Sequence, residues 1–539
     1  GGRVSSVLNV ITDPGDGELD VRGGISVLAT RVSVGGSVPG IENSRVRVGV
    51  RRSYFDQLLK PFLDFPYHLT DAQLAGEVWT SARDRFGVTA YLGEDVLELS
   101  GADSFPLRVD WKWGNAVAGA RWSRVLRHDG LFEVRSSYSR FSTEMTFPDF
   151  GDTRFTSRIE HALLRADGTW PIRNVELRAG LETNRMWYDN LVVSGGTVFN
   201  SARDVGWAHG AYAQTSWRLR GNLLIESGLR GDVWSADDGS TFLLSPRFAV
   251  KRFLAQGNVA VKIAAGRYTQ FLHSLRDEEL PVGIDVWVLS GTRAPQVRSD
   301  QVQTGLELFR GDWYAAVESY WRRFRGVATN NFAQDPNDPV DDILAGDGLS
   351  YGADAVIRKD RGRVTGFATV SWLKAEREFP DFLQGAEDPQ TIAYPPIFDR
   401  RFELDVVLRF PFLWRWEGGM RFNYGSGLPY TRPIGSYLFY EYQLNSGRRA
   451  HAHENEDFTN VLLGQRNAER YPDYHRLDLS LRKTFTKSWG TLTPHFDILN
   501  LYNRKNVLFY FYEYDVSPPV RSGISMFPFL PTVGVEVTF

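Results

Sequence analysis

The chain has no cysteine, which excludes disulfide frameworks, thiolate metal clusters and thiol catalysis within its 539 residues. It also lacks any run of about 18 apolar residues, the length that a membrane-spanning helix needs, and its mean hydropathy is -0.30. These two features exclude a helical membrane protein. The formal net charge of -3 offers no basic footprint for nucleic acid. No linker or low-complexity segment divides the chain, so we predict a single architecture.

Aromatic residues are abundant, at 14% of the chain with 16 Trp and 22 Tyr. The last eight residues, from Thr532 to Phe539, alternate strictly between apolar and polar side chains. This period of two is typical of a strand with one face in hydrocarbon and one in water. A terminal phenylalanine closing such a strand resembles the assembly signal of bacterial outer-membrane barrels, which predicts that role for Val535, Val537 and Phe539.

The same two-faced pattern recurs upstream, in residues 401–410 and 474–483. Charged side chains share one face of each segment, and a Lys or Arg facing lipid near the bilayer midplane costs roughly 2–4 kcal/mol. The charged face therefore belongs to a polar lumen. The predicted lipid face comprises Leu404, Val406, Leu408, Leu477, Leu479, Leu481, Val533, Val535 and Val537.

About 22 such segments can be traced, joined by connections that alternate in length. Tight turns rich in Gly and Asp, such as 127–130 and 310–312, belong on the periplasmic side. The long connections are predicted to face the outside, and they lie at 55–66, 96–106, 188–201, 273–297, 327–347, 378–395, 426–470 and 513–526. The sequence thus predicts an all-β transmembrane antiparallel β-barrel with short periplasmic turns and long extracellular loops.

Charged residues on the polar face of the strands have two interpretations. They could pair across neighbouring strands, or they could hold a domain inside the barrel through contacts that water can exchange. The residues assigned to this inward face are Arg45, Arg47, Arg51, Arg154, Arg158, Glu160, Arg401, Glu403, Asp405, Arg476, Asp478 and Glu536.

Several short motifs resemble those of TonB-dependent outer-membrane receptors, of the Bacteroidota or SusC-like kind. They include residues 1–10, 49–54, 398–401, 425–431, 471–478 and 500–506, whose order and spacing together are specific. The resemblance implies an outer-membrane location, contact with outer-membrane lipid, and a plug domain and TonB as partners. A surface lipoprotein is a further expected partner.

Residues 1–17 resemble only the last strand of the family's plug domain, and residues 18–539 its 22-stranded barrel. The chain begins without methionine or a signal peptide. We therefore expect a plug, upstream or as a separate chain, because a barrel of this strand count is normally plugged. A pore that works open is the alternative.

No nucleophile motif or phosphate-binding loop occurs in the strand-to-helix context that such chemistry needs, so we expect no enzyme, no catalytic residue and no cofactor. The candidate metal ligands are His451, His453 and Glu454, although a solvated polar loop is the favoured interpretation. The acidic loop 335–342 does not match a calcium-binding pattern.

Two aromatic loop segments are candidates for ligand recognition, since Tyr gives a large contact area with few rotatable bonds. Their residues are Tyr437, Phe439, Tyr440, Tyr442, Tyr510, Tyr512 and Tyr514. Part of this set can belong to an aromatic girdle at the membrane surface instead.

The predicted function is that of a transporter barrel that binds a ligand at its outer loops and imports it through a plug-gated lumen. A structural barrel that anchors a larger envelope assembly is the alternative. Iron chelates, cobalamin, oligosaccharides and peptides all remain open as the ligand, because specificity lies in loops whose conformation the sequence does not give.

Overall fold

The computed structural model describes residue 4 and residues 7–58, 66–101, 108–219, 221–237, 239–276, 285–331, 342–380, 391–438, 459–513 and 520–539. Antiparallel strands dominate these ranges. The helices within them are one α-helical turn, Phe55–Leu58, and five short 3-10 turns, Leu99–Gly101, Arg127–Asp129, Pro148–Phe150, Ala255–Gly257 and Leu413–Arg415. None of the helices described is long and apolar enough to cross a membrane.

Twenty-two strands form one closed sheet, two of them interrupted once. In chain order they are β1 Asp20–Ser26, β2 Ala29–Gly36, β3 Ser44–Ser53, β4 Tyr67–Trp79, β5 Asp84–Glu98, β6 Asp110–Val125, β7 Leu131–Phe147, β8 Thr153–Ile172, β9 Val175–Ser194, β10 Thr197–Leu219, β11 Leu223–Ala236, β12 Gly239–Leu254, β13 Val259–Gln270, β14 Val297–Arg310, β15 Trp313–Asn330, β16 Ile343–Lys359, β17 Thr365–Pro380, β18 Thr391–Tyr394 with Phe402–Pro411, β19 Glu417–Gly425, β20 Tyr474–Arg482 with Phe485–Lys487, β21 Gly490–Leu499 and β22 Leu530–Thr538.

The barrel closes where β22 pairs with β1, with Glu536 opposite Gly24 and Thr538 opposite Arg22. Each strand also pairs with its neighbour in sequence. Closure leaves no strand edge for the bilayer to solvate, which is the condition for strands to span it. The predicted fold class and strand number are thereby confirmed.

The cross-strand register fixes one outward face around the whole circumference. Apolar side chains on this face are about half exposed, as expected for a surface that lipid covers. Examples are Val32, Val50, Val88, Leu181, Leu229, Phe242, Ile263, Val317, Ile357, Val370, Phe402 and Val533. The register also places all nine predicted lipid-face residues on this side.

Aromatic rings border the apolar band at both edges, as in outer-membrane barrels. The periplasmic border includes Trp122 on β6, which packs against Phe86 and Phe132 on the neighbouring strands. At the seam, the rings of Trp489 and Phe539 lie 5.2 Å apart. The opposite border includes Tyr138 and Trp187, whose centroids are 6.2 Å apart. The high aromatic content therefore serves largely as membrane girdles.

The strands from β6 to β10 rise above the apolar band, and here two predictions were wrong. Residues 188–201 are not a long loop: β9 continues to Ser194 and β10 begins at Thr197, with Gly195 and Gly196 at positive φ between them. Above the lipid, both faces of a strand contact water, so the hydrophobic alternation fades while the hydrogen-bonded ladder continues.

For the same reason, Arg154, Arg158 and Glu160 face outward and not into the lumen. The register of β7 with β8 aligns Arg158 with Ser142 and Glu160 with Arg140, on the same face as the lipid-exposed Leu164. These charges lie above the hydrocarbon, where an outward charge carries little cost. The assumption that every charge faces the lumen holds only within the apolar band.

Candidate functional site

The inner wall is lined by charges that pair across neighbouring strands, which supports the first of the two interpretations. Arg45 and Arg121 both contact the carboxylate of Glu77, at 2.7 and 2.6 Å. Arg47 contacts Asp20 at 2.7 Å. These groups lie low in the barrel and satisfy one another, so the charges in this part of the wall are paired.

A more buried network lies on β9 and β11. Arg230 is 6% exposed and contacts Asp232 at 2.7 Å and Glu182 at 3.1 Å. Because a buried cation needs paired and hydrogen-bonded partners, these three residues depend on one another. The remaining predicted inward residues on the strands follow the same face, as Arg476 with Asp478 at 2.9 Å illustrates.

The connection between β13 and β14 folds into the barrel. It forms a hairpin of Leu272–Arg276 and Asp285–Leu289. Phe271, at its base, stacks on Trp234 of the inner wall with centroids 4.7 Å apart. The indole of Trp234 donates a hydrogen bond to the carbonyl of Ser290 at 2.8 Å. This inward hairpin narrows the lumen near the extracellular mouth.

The inner wall facing the hairpin is apolar, unlike the charged wall elsewhere. Ile159, Met186, Tyr188, Ala208 and Leu243 are buried together with Trp234 and with Leu272 and Leu289 of the hairpin. Inward apolar residues on adjacent strands are out of place in an aqueous lumen, so they are the signal in the sequence that could have revealed this contact.

His273 lies in the same hairpin and is 5% exposed. Its Nε2 lies 2.8 Å from the carbonyl of Pro295 and 3.1 Å from Oγ of Ser290. Burial lowers the pKa of His273, since the apolar surroundings disfavour the imidazolium, while the Pro295 carbonyl partly opposes the shift. The folded hairpin therefore favours the neutral form of the His273 imidazole.

The segment before β1 crosses the lumen. Val4 lies against β13 and β14, where its carbonyl accepts a hydrogen bond from Gln301 at 2.8 Å. Thirteen residues later, the carbonyl of Gly17 accepts a hydrogen bond from the hydroxyl of Ser37 at 2.6 Å. Ser37 follows β2, on the opposite side of the barrel from β13 and β14. An extended chain reaches roughly 3.3 Å per residue, enough for this span. Between the two contacts, Val7, Leu8, Val10 and Ile11 are 75–88% exposed.

Three of the family-like motifs meet at the base of the extracellular loops: 398–401 contacts 471–478, with the guanidinium of Arg400 6.0 Å from the centre of the Tyr474 ring, and 471–478 contacts 500–506. Asp399 is fully buried and accepts hydrogen bonds from the amide of Ala375 and from Arg470. Asn500 is 1% exposed, and its amide N–H donates to Asp478 at 2.9 Å. The motifs therefore hold the loop bases in place, which sequence order alone did not reveal.

The predicted aromatic ligand residues are only partly described. Tyr510 packs with Tyr430 and Tyr471 at 5.6 and 5.2 Å, and the guanidinium of Arg521 lies over its ring at 4.3 Å. Burial raises the pKa of both Tyr430 and Tyr471 to about 12. This tyrosine cluster packs loop against loop outside the apolar band.

Tyr512 lies in the same hairpin strand, Val507–Glu513, as Tyr510. Tyr437 lies in another loop strand, Pro433–Leu438. Phe439, Tyr440, Tyr442 and Tyr514 lie outside the described residues, as do His451, His453 and Glu454. In the part of the chain that is described, no group of three potential metal ligands converges.

A second aromatic series, which sequence reasoning missed, lines the mouth from β6 to the loops. Trp111 and Trp113 lie 4.5 Å apart, followed by Tyr67 and Phe55 at 6.2 and 6.0 Å, and then Phe527 at 5.9 Å. The two tryptophans are separated by one residue in a strand and so share its inner face. That spacing was the available signal.

No protein-family model and no curated protein matches the sequence. Solved structures do match. The ferripyoverdine receptor of the outer membrane of Pseudomonas aeruginosa superposes with a TM-score of 0.67 at 11% identity, covering 97% of this chain and 71% of that one. The fold is that of an outer-membrane receptor barrel.

Two further structures give the same result. The FrpB iron transporter from Neisseria meningitidis has a TM-score of 0.65 at 12% identity, covering 97% of this chain and 81% of that one. The ferric yersiniabactin uptake receptor FyuA from Yersinia pestis has a TM-score of 0.60 at 12% identity, covering 97% of this chain and 79% of that one. All three structures share the fold of this chain, the closed antiparallel barrel that the sequence predicts.

Proposed function

We propose that this chain forms the barrel of a TonB-dependent outer-membrane transporter. The observation that carries the proposal is a closed 22-stranded barrel whose inner wall is charged and whose mouth is lined with aromatic rings. A barrel of this size has a lumen wide enough for a solute larger than those that small porins pass. The motifs quoted above support the same family, whereas the SusC-like subtype stays a prediction.

The gating element in this proposal is a plug domain of which residues 1–17 are the end. The lumen-crossing path from Val4 to Gly17 supports it, because a strand that leaves a plug must run through the barrel to reach β1. The exposed apolar side chains of Val7, Leu8, Val10 and Ile11 are suited to packing against such a domain. The force that TonB transmits would then displace the plug past a wall lined with water-exchangeable ion pairs.

We place ligand capture at the extracellular mouth. The aromatic series from Trp111 to Phe527 offers flat, half-buried surfaces, and Tyr510 and Tyr512 lie in a neighbouring loop hairpin. Rigid aromatic side chains give large contact area at low entropic cost. An iron chelate is the ligand to test first, since the structural neighbours named above take up ferric compounds.

Conductance in a planar bilayer tests the proposal. Without a plug, the 539-residue chain should conduct, because a barrel of 22 strands has a wide lumen that is normally plugged. Adding the plug encoded upstream, in cis or as a separate chain, should close the pore. A chain that conducts equally with and without the plug would contradict plug gating.

The inward hairpin favours a second candidate, a barrel that anchors an envelope assembly or a surface lipoprotein. Its packing against Trp234 and Leu243 shows that a loop can take part of the space that a plug would need. If the chain is electrically silent and becomes conducting only when Leu272–Leu289 is removed, the lumen is sealed by its own loop and the anchor is the better proposal.

A further inference from the structure

One row of residues on the inner wall carries no carboxylate across ten neighbouring strands. From β8 to β17 the register aligns Thr169, Arg178, Gln214, Gly228, Arg247, Gly266, Gln301, Arg322, Ser350 and Ala375, called the arginine row below. Leu229, Phe248 and Trp321, each adjacent in sequence to a member of the row, are exposed on the lipid face. Because side chains alternate between the two faces of a strand, the row faces the lumen.

The arginine row climbs from the periplasmic end of the barrel toward the extracellular mouth. Arg178 lies three residues from Val175, where β9 begins, whereas Arg322 lies nine residues from Trp313, where β15 begins. Both strands rise from the periplasmic side. Since barrel strands are tilted, a row of neighbours across the sheet slopes along the barrel axis. The row therefore joins the extracellular half of the lumen to its periplasmic end.

Three arginines lie on this slope at equal intervals, on β9, β12 and β15. Neighbouring strands are about 4.8 Å apart, so roughly 14 Å separates Arg178 from Arg247, and Arg247 from Arg322. The guanidinium of Arg247 lies 4.5 Å from the centre of the Tyr268 ring, and that of Arg322 lies 4.5 Å from Tyr320. Such stacking orients a guanidinium without neutralising its charge.

Arg247 and Arg322 have no carboxylate partner among the described residues. Neither forms an ion pair there, and Nε of each has no hydrogen-bond partner. The residues directly opposite them on the neighbouring strands are Gly228, Gly266, Gln301 and Ser350. From β13 to β17, the inward positions one step above and one step below the row also lack carboxylates; they are Tyr268, Ser299, Phe324, Gly348, Arg377, Ala264, Gln303, Tyr320, Gly352 and Leu373. The inward cations described above, by contrast, all have carboxylate partners.

A cavity of about 180 Å³ lies against the row at Arg247. The described residues that line it include no carboxylate, and its polar lining consists of Arg165, Arg178, Tyr212, Gln214, Arg230, Ser245 and Arg247. Arg165, Arg178 and Arg230 are paired with carboxylates that do not line the cavity. Ser245 is 1% exposed, and its hydroxyl has no hydrogen-bond partner. The cavity therefore presents one unpaired cation and a free hydroxyl among guanidinium groups.

We infer that the arginine row is a track for an anionic solute, one that carries carboxylate or phosphate groups. The inference rests on the proposed function, because a track needs a solute that crosses the barrel. Guanidinium groups bind both kinds of anion through paired hydrogen bonds, and here no wall carboxylate competes at Arg247 or Arg322. Several separate sites of moderate strength let a solute leave one arginine for the next.

The segment before β1 covers the row between the two unpaired arginines. The side-chain amide of Gln301 donates a hydrogen bond to the carbonyl of Val4 at 2.8 Å. Gln301 lies beside Arg322 and two strands from Arg247. Withdrawal of this segment together with a plug would free the amide for a passing anion, which links plug movement to access to the row.

Isothermal titration calorimetry of the detergent-purified chain with inorganic pyrophosphate tests this inference. Pyrophosphate should bind saturably, and Arg247→Gln should weaken binding about tenfold or more, because charge-assisted hydrogen bonds are lost. Gly228→Leu should weaken it without changing charge. A Cβ on Gly228 meets no atom closer than 3.4 Å, so the larger side chain enters the cavity beside Arg247.

Arg45→Gln is the matched control, since it removes an inward arginine outside the row and leaves Glu77 paired with Arg121. It should bind pyrophosphate as the unaltered chain does. In planar bilayers, the variant with Arg247→Gln and Arg322→Gln should also show a reversal potential shifted toward lower anion selectivity. All variants are compared for resistance to heat unfolding, so that a loss of fold is recognised.

No saturable binding, or unchanged affinity in both cavity variants, would overturn the inference. Unchanged affinity in the double variant together with loss of closure by the plug would overturn it in favour of plug docking. The calorimetry needs neither plug nor TonB. A chain that the plug closes but that does not bind pyrophosphate contradicts the track alone, whereas a chain that binds but is not closed by the plug contradicts the proposed function alone.

Discussion

At the scale of single residues, the face of a strand decides what a substitution costs. Leu479 faces lipid on β20, between Met420 and Ile498 of the neighbouring strands, whereas Ser480 faces the lumen opposite Asp497. The two positions are adjacent in sequence, but their side chains point to opposite faces of the sheet. The chain therefore contains its own matched pair for testing the assignment of the faces.

We predict that Leu479→Arg destabilises the folded barrel by roughly 2–4 kcal/mol, because it places a charge in hydrocarbon. Ser480→Arg should change stability little, since the lumen is polar and Asp497 lies opposite. Urea unfolding in phospholipid vesicles measures both. Similar losses at the two positions would refute the assignment of faces.

At the scale of elements, the inward hairpin depends on its contacts with the barrel wall more than on its own two strands. A two-stranded hairpin is marginally stable alone, and this one, five residues per strand, packs against the buried Trp234. Its position inside the barrel is therefore a property of the wall as much as of the hairpin.

Trp234→Ala should release the hairpin, because it removes the ring that stacks on Phe271 and the donor to the Ser290 carbonyl. A buried Trp→Ala substitution costs about 3–5 kcal/mol. Hydrogen exchange should then become faster in residues 285–296 while the barrel strands keep their protection. Trp217→Ala, on the outward face of β10, should leave the hairpin unchanged. Retained protection in the Trp234 variant would show that other contacts hold it.

At the scale of the whole molecule, closure joins the two ends of the barrel sequence. The β1 strand has seven residues and pairs with β22 over five positions, far fewer than the pairing of β9 with β10. Phe539 extends this seam, since its amide donates to the Val21 carbonyl at 2.9 Å. The seam is thus the shortest pairing between neighbouring strands in the described part of the barrel.

Deleting Phe539 should lower the amount of inserted barrel while leaving export to the periplasm intact. The deletion removes both the seam hydrogen bond and the ring that packs against Trp489. Fractionation with a heat-modifiability gel separates the inserted from the uninserted chain. A Phe539→Tyr variant keeps an aromatic ring and should insert normally. Unchanged outer-membrane levels after the deletion would count against the role of the terminal residue.

The sequence by itself determined the barrel, because lipid imposes a strict period of two on every strand that it covers. Strand number, the lipid face of β18, β20 and β22, and most of the alternating loop lengths follow from that constraint. Prediction from this period was wrong where the strands rise above the lipid. There it assigned a loop to residues 188–201 and an inward face to Arg154, Arg158 and Glu160, because water contacts both faces of these strands.

Only the tertiary structure showed which segments occupy the lumen of the barrel. The hairpin's inward path and the contacts of Val4 and Gly17 with opposite walls join residues from distant strands. Their contacts depend on cross-barrel distance and on side-chain size, which no local period encodes. The apolar patch around Trp234 was visible in the sequence, yet its partner Phe271 could be assigned only once the barrel had closed.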